Sequence, residues 1–130
     1  MDFRLVPNQK PDDILKKLRA HLDAQGFDDV KIHYWGGEPA ARTNPDDPFI
    51  KIVVDAAAEV YGTPMEIVPM VGGSGPNHPF VHDLGLPVAT MGHGYPETKA
   101  HAPNENIRLD LYLKHARHMA RVIKEFAKQN

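Results

Sequence analysis

The sequence contains no cysteine, which excludes disulfide bonds, thiolate metal sites and a cysteine nucleophile. No apolar run approaches the roughly 18 residues that a membrane span requires, and the first residues lack the apolar stretch of a signal peptide. The formal net charge is only -2, so we expect no strong field that would attract nucleic acid or an anionic membrane. These absences predict a soluble, cytoplasmic protein without nucleic-acid or membrane partners.

Histidine and proline are abundant instead, with 8 and 12 copies among the 130 residues. The hydrophobic fraction of 42% and the charged fraction of 25% are those of an ordinary globular chain, so we expect a packed core. A chain of this length suits one domain or two small half-domains.

The first part of the chain predicts a β-α-β unit. Polar and apolar residues alternate at residues 2–6 and again at residues 30–35, as in strands with one buried face. Between them, Pro11 begins an apolar pattern of helical spacing that ends near Gly26. A Gly- and Pro-containing stretch at residues 36–44 then resembles a linker.

The second part predicts alternating helices and short apolar strands. Asp47 is the expected N-cap of a helix that has Pro48 at its first position and ends at Gly62. The elements expected after it are a strand at 65–68, a short helix from Pro76, a strand at 86–91 and a helix from about 107 to about 128. This order predicts an α/β layered fold.

A glycine-rich turn at residues 71–77 lies between a predicted strand and a predicted helix start, where exposed N–H groups favour an anion. The turn lacks the Gly-Lys-Ser/Thr of a P-loop and the spacing of GxGxxG. The local sequence favours a plain turn. The alternative is a floor for a substrate carboxylate or oxyanion, with the Ser74 hydroxyl as a donor.

Most histidines have an ordinary explanation, because they lie on predicted helix faces or in turns. The pairs on helix faces, for which we expect solvent exposure, are His78 with His82 and His115 with His118. His101 differs, because it lies in a polar loop, residues 95–106, after a predicted buried strand, where ligands collect in open α/β sheets. It is a candidate metal ligand, but a catalytic zinc needs at least three protein ligands and the sequence shows no matching cluster.

Three stretches carry a family resemblance: DFRLVPN at residues 2–8, GGSGP at residues 72–76 before a predicted helix, and HAPNENI at residues 101–107. Together, in this order, they resemble the dinuclear-zinc amidohydrolase and peptidase family. That family includes acetylornithine deacetylase, succinyl-diaminopimelate desuccinylase, carboxypeptidase G and the carnosine-type dipeptidases. The similarity covers essentially the whole chain, and the dipeptidase-like branch is most similar in its RLVPN strand and HxxNE loop.

The resemblance implies that the chain is the C-terminal portion of a longer enzyme. Residues 1–40 would be the second half of a ferredoxin-like lid or dimerisation domain. Residues 41–130 would be the closing segment of a zinc-peptidase-type α/β catalytic domain.

The resemblance also implies roles for individual residues. His101 matches the family's C-terminal zinc ligand, and Arg4 matches the lid arginine that clamps a substrate carboxylate. Gly73 and Ser74 match the loop that lines the substrate pocket. The family's other metal ligands and its general-base glutamate have no credible match here, so no catalytic residue is assigned within this chain.

The function implied is hydrolysis of a peptide or N-acyl amide bond beside a carboxylate, by a zinc-dependent dipeptidase or deacylase. Two zinc ions would act in the complete enzyme, with manganese or cobalt as substitutes, on a small peptide or N-acyl amino acid. The lid would make the enzyme a homodimer, and this chain alone would be inactive. The alternative is a non-catalytic α/β binding or interaction module that keeps the fold without the metal centre.

Overall fold

The computed structural model of the chain describes residues 1–129. Three α-helices form: α1 (Pro11–Ala24), α2 (Pro48–Tyr61) and α3 (Leu109–Phe126). A π-helical turn at Pro79–Asp83 and a 3-10 turn at Pro96–Thr98 lie between α2 and α3 in the sequence. Among the described residues, no helix combines the length and the apolar character needed to span a lipid bilayer.

The chain divides into two compact units. The first consists of Met1–Arg42 and Met70–Leu86, and the second consists of Thr43–Pro69 and Pro87–Asn130. Helix α1 belongs to the first unit, and helices α2 and α3 belong to the second. The assignment of residues 1–40 to a lid and of residues 41–130 to a catalytic domain stays a prediction.

Helix α2 begins and ends as its sequence predicts. The side chain of Asp47 accepts a hydrogen bond of 2.8 Å from the backbone N–H of Phe49, and Pro48 occupies the first position, where its missing N–H costs nothing. Gly62 ends the helix with a φ of +74°, a left-handed conformation that glycine adopts readily. The N-cap prediction is therefore confirmed.

The core of the second unit lies between α2 and α3. Val53, Ala56 and Val122 are buried against one another, and Phe49 packs its ring edge-on to Phe126 with 5.8 Å between ring centroids. Helix α2 supplies most of this core, and its buried residues are Ile50, Ile52, Val53, Ala56 and Ala57. The apolar stripe of α2 therefore has the partner that its periodicity predicts.

The predicted α/β fold is wrong, because none of the four segments predicted as strands forms a strand within residues 1–129. A strand requires a ladder of backbone hydrogen bonds to a neighbouring segment. In two of these segments, backbone N–H and C=O groups that a ladder would use are hydrogen-bonded to a side chain or within a turn instead. The Thr43 hydroxyl donates to the carbonyl of Val88 and accepts from its N–H, both at 2.8 Å. At Val6 the side-chain Oε1 of Gln9 accepts from the N–H and the backbone N–H of Gln9 donates to the carbonyl, both at 3.1 Å.

The prediction that residues 1–40 form the β-α-β half of a ferredoxin-like lid is wrong for the same reason. Only the helix of that unit, α1, is present in the described chain. Arg19 on α1 donates through Nη1 to the carbonyl of Val30 at 2.5 Å and through Nη2 to that of Phe27 at 2.8 Å. The chain that follows α1 is thus held by an arginine side chain rather than by strand pairing. Sequence alternation shows which side chains share a face but supplies no pairing partner.

Of two histidines on α3, His118 lies in the interior of the second unit and His115 is half-buried. His118 is 3% exposed, and its Nε2 donates to the carbonyl of Val53 at 2.9 Å, so the expectation of a solvated helix face is wrong for this residue. His115 has a buried Nδ1 without a hydrogen-bond partner among the described residues, and its ring lies 5.2 Å from that of His93. Burial, followed by the nearby His93 and His118, lowers the pKa of His115.

Replacing Asp47 by alanine removes the N-cap of α2, and we expect the free energy of unfolding to fall by about 1 kcal/mol. Urea denaturation followed by circular dichroism measures the change. The matched control is Asp46→Ala, which removes the same charge from a neighbouring exposed residue whose side chain does not cap the helix. Equal losses from the two variants would contradict the capping role.

The lowered pKa of His115 predicts a pH-dependent stability. The folded chain binds a proton at His115 less readily than the unfolded chain does, so stability falls as the pH drops below the ordinary histidine value of about 6.5. We expect His115→Gln to flatten the fall in urea midpoint between about pH 8 and about pH 5. The control His33→Gln, at an exposed position, should leave that slope unchanged.

Candidate functional site

Two of the residues predicted to bind substrate meet in the first compact unit. The Nη1 of Arg4 donates a 2.7 Å hydrogen bond to the Oγ of Ser74, although the two residues lie 70 positions apart. Arg4 keeps 54% of its side chain exposed, and its nearest acidic partner, Asp2, lies 3.7 Å away. The guanidinium is therefore oriented by Ser74 while much of it stays accessible to an anion.

The turn around Ser74 differs from the predicted anion site. The helical turn after it begins at Pro79 rather than at Pro76 and has only five residues, so no helix N-terminus supplies a dipole there. Gly73 has an ordinary φ, and a Cβ at this position would meet only the Cγ2 of Val71, at 3.9 Å. In the described structure Ser74 therefore contacts Arg4, whereas the space around residue 73 does not require a glycine.

His101 lies in an exposed loop of the second unit, residues 95–106. Its φ is +62°, and Lys99 and Asn104 on either side also have positive φ values, of 53° and 63°. Such values are uncommon outside glycine and persist where the surrounding structure fixes them. The imidazole of His101 makes no hydrogen bond to any other described residue, so both nitrogens remain available to a ligand.

Asn106 ties this loop together, a role that the sequence analysis missed. Its Nδ2 donates to the carbonyls of Glu97 and Asn104 at 3.2 and 3.0 Å, and the hydroxyl of Tyr95 donates to its Oδ1. Its backbone makes two further bonds with Thr98: the N–H of Asn106 donates to the Thr98 carbonyl at 3.0 Å, and the Thr98 hydroxyl donates to the Asn106 carbonyl at 2.5 Å. The available signal was an asparagine at the end of a polar loop, a residue type that satisfies backbone groups in turns.

The described residues do not form a complete metal site. No group of three or more histidine, aspartate or glutamate side chains able to hold an ion lies within residues 1–129. The ring pairs His78 with His82 and His93 with His115 supply two ligands each at most, with centroids 4.4 and 5.2 Å apart. His101 fits zinc as a single exposed imidazole ligand, while a catalytic zinc needs at least two more.

Comparison with known proteins gives two matches, and both are to peptidases of one family. The sequence model of peptidase family M20/M25/M40 matches residues 5–125. Among solved structures, the M20 family metallo-carboxypeptidase Sso-CP2 from Sulfolobus solfataricus is 36% identical, with a TM-score of 0.81. The alignment covers 92% of this chain and 28% of that one. The search of curated proteins found no match.

The chain therefore spans little more than a quarter of the length of the carboxypeptidase that it resembles. The family model nevertheless extends over nearly all of the chain, from before α1 into the last turn of α3. The resemblance inferred from the three sequence stretches is confirmed: the chain belongs to peptidase family M20/M25/M40.

Proposed function

We propose that the chain is the C-terminal portion of a zinc-dependent hydrolase that cleaves a peptide or N-acyl amide bond beside a carboxylate. The observation that carries the proposal is the hydrogen bond between Arg4 and Ser74, in a chain that belongs to a peptidase family. The substrate class is a small peptide or an N-acyl amino acid, and the enzyme is a dipeptidase or deacylase. Its cytoplasmic location stays a prediction.

Arg4 and Ser74 have the chemistry needed to bind a carboxylate together. A guanidinium presents a planar set of N–H donors that matches two carboxylate oxygens. Because the Oγ of Ser74 accepts from Arg4, the serine keeps its own hydroxyl hydrogen for a substrate oxygen. Asp2, at 3.7 Å, is too distant to occupy the remaining donors with a short hydrogen bond.

His101 is the zinc ligand that this chain contributes to the proposed enzyme. When bound there, zinc, or manganese or cobalt in its place, would supply a water of lowered pKa and would polarise the scissile carbonyl. The remaining ligands of two metal ions and the general base would come from parts of the enzyme that residues 1–129 do not include. The chain alone would therefore bind metal weakly and catalyse no hydrolysis.

Large apolar side chains on the first unit support a homodimer. Trp35 is 97% exposed, and Phe3 and Phe27 are each about half exposed. Where such side chains adjoin one another, exposed apolar surface marks a site of association. We therefore extend the proposal to an enzyme that pairs two copies through its first unit.

Replacing Arg4 by lysine tests the carboxylate site, because lysine keeps the charge but loses the planar pair of donors. In the complete enzyme we expect kcat/KM to fall about tenfold, equivalent to about 1.4 kcal/mol. The control Arg42→Lys changes an exposed arginine of the same unit in the same way. A value for Arg4→Lys within about twofold of the wild type would exclude the clamp.

Replacing His101 by alanine tests the metal ligand. We expect the complete enzyme to lose bound zinc, measured by metal analysis after dialysis, and to lose activity with it. The control His33→Ala removes another exposed histidine and should retain the metal. Zinc-dependent hydrolysis of dipeptides by the 130-residue chain alone would contradict the proposal that the centre needs further ligands.

A further inference from the structure

We propose that Asn106 is the positioning residue that fixes the backbone of His101 and so aims its imidazole at the metal. The inference rests on the proposed function, because it takes His101 as a zinc ligand. The bonds that the side chain of Asn106 makes within the loop single it out.

The bonds of Asn106 join the chain before His101 to the chain after it. One hydrogen of Nδ2 reaches the carbonyl of Glu97, four residues before His101, and the other reaches the carbonyl of Asn104, three residues after it. The hydroxyl of Tyr95 occupies Oδ1. Both donor hydrogens and the acceptor oxygen of this amide are hydrogen-bonded, so the amide has one orientation. It therefore holds the two ends of the loop at a fixed distance from each other.

The direction in which the His101 side chain leaves the loop depends on this closure, because that side chain has no hydrogen bond of its own within residues 1–129. Its imidazole has no hydrogen-bond partner within residues 1–129, so the direction of its Cα–Cβ bond follows from the backbone alone. That backbone has positive φ values at three non-glycine residues, Lys99, His101 and Asn104. Such conformations are strained for residues other than glycine and persist only where other contacts compensate.

The geometry of a zinc site makes this closure matter for binding. Zinc–nitrogen distances are held to within roughly 0.2 Å, so an imidazole carried by a loosened loop spends little time at the ligating position. Removing the partners that orient a ligand typically weakens metal affinity about 10- to 100-fold. Asn106 therefore acts on the metal through His101 rather than by contacting it.

Three variants separate the role of Asn106 from a general effect on folding. Asn106→Leu keeps a similar shape and removes every polar side-chain atom, and Tyr95→Phe removes only the hydroxyl that donates to Asn106. Tyr112→Phe is the matched control, because it removes a hydroxyl from an exposed tyrosine on α3. Amide protection within α2 and α3 reports whether each variant still folds.

The first measurement is hydrogen exchange by NMR in the 130-residue chain, and it needs no metal. We expect Asn106→Leu to accelerate exchange of the loop amides of Ala102, Glu105 and Asn106 about tenfold or more, with α3 unchanged. The strong intraresidue cross-peak between the amide and Hα of His101, the signature of a positive φ, should weaken. Tyr95→Phe should give a smaller effect and Tyr112→Phe none. Unchanged loop exchange in Asn106→Leu would overturn the inference.

The second measurement is the zinc dissociation constant of the complete enzyme, obtained by competition with a chelator. We expect Asn106→Leu to weaken zinc binding about tenfold or more and Tyr112→Phe to leave it within about twofold. If His101→Ala weakens binding but Asn106→Leu does not, the positioning role is wrong. If His101→Ala itself has no effect, the proposed zinc ligand is wrong, and faster loop exchange still supports Asn106 as the residue that fixes the loop.

Discussion

The second compact unit depends on the packing of α2 against α3. Val53 and Ala56 from α2 meet Val122 from α3, and burial of each valine contributes roughly 1.5–3 kcal/mol relative to exposure. The same contact buries His118, whose ring then donates to the carbonyl of Val53, a residue of the opposite helix. The loop that carries His101 ends shortly before α3, so the packed helix pair anchors the C-terminal end of that loop.

The two candidate sites, one in each compact unit, are built in different ways. Arg4 and Ser74 are distant in the sequence, and a single hydrogen bond from a charged donor joins them in the first unit. The His101 loop is local, and Asn106 closes it through bonds to residues no more than eleven positions away. A carboxylate site needs a charged donor with accessible surface, and Arg4 provides one. A metal ligand needs a fixed direction, which the closed loop gives to the backbone of His101.

The error in fold class has a definite physical origin. Alternation at residues 2–6 and apolar character at residues 86–91 are properties of single segments, but a strand exists only as one member of a hydrogen-bonded pair. At Val88 the hydroxyl of Thr43 satisfies both backbone groups, and no sequence rule pairs a threonine with a residue 45 positions later. The family resemblance was correct although the expected sheet is absent from residues 1–129, since it rested on motifs rather than on secondary structure.

By itself, the sequence determined the three α-helices, the ends of α2 and the family. Asp47, Pro48 and Gly62 act on backbone groups within a few residues, so their effects can be predicted from local spacing. The family was inferred from short motifs, and the family model matches residues 5–125. Only the tertiary structure decided that Arg4 meets Ser74, that His118 is buried and that Asn106 closes the loop around His101. These outcomes depend on which distant or facing groups satisfy each other's hydrogen bonds once the chain has packed, and a one-dimensional pattern does not contain that choice.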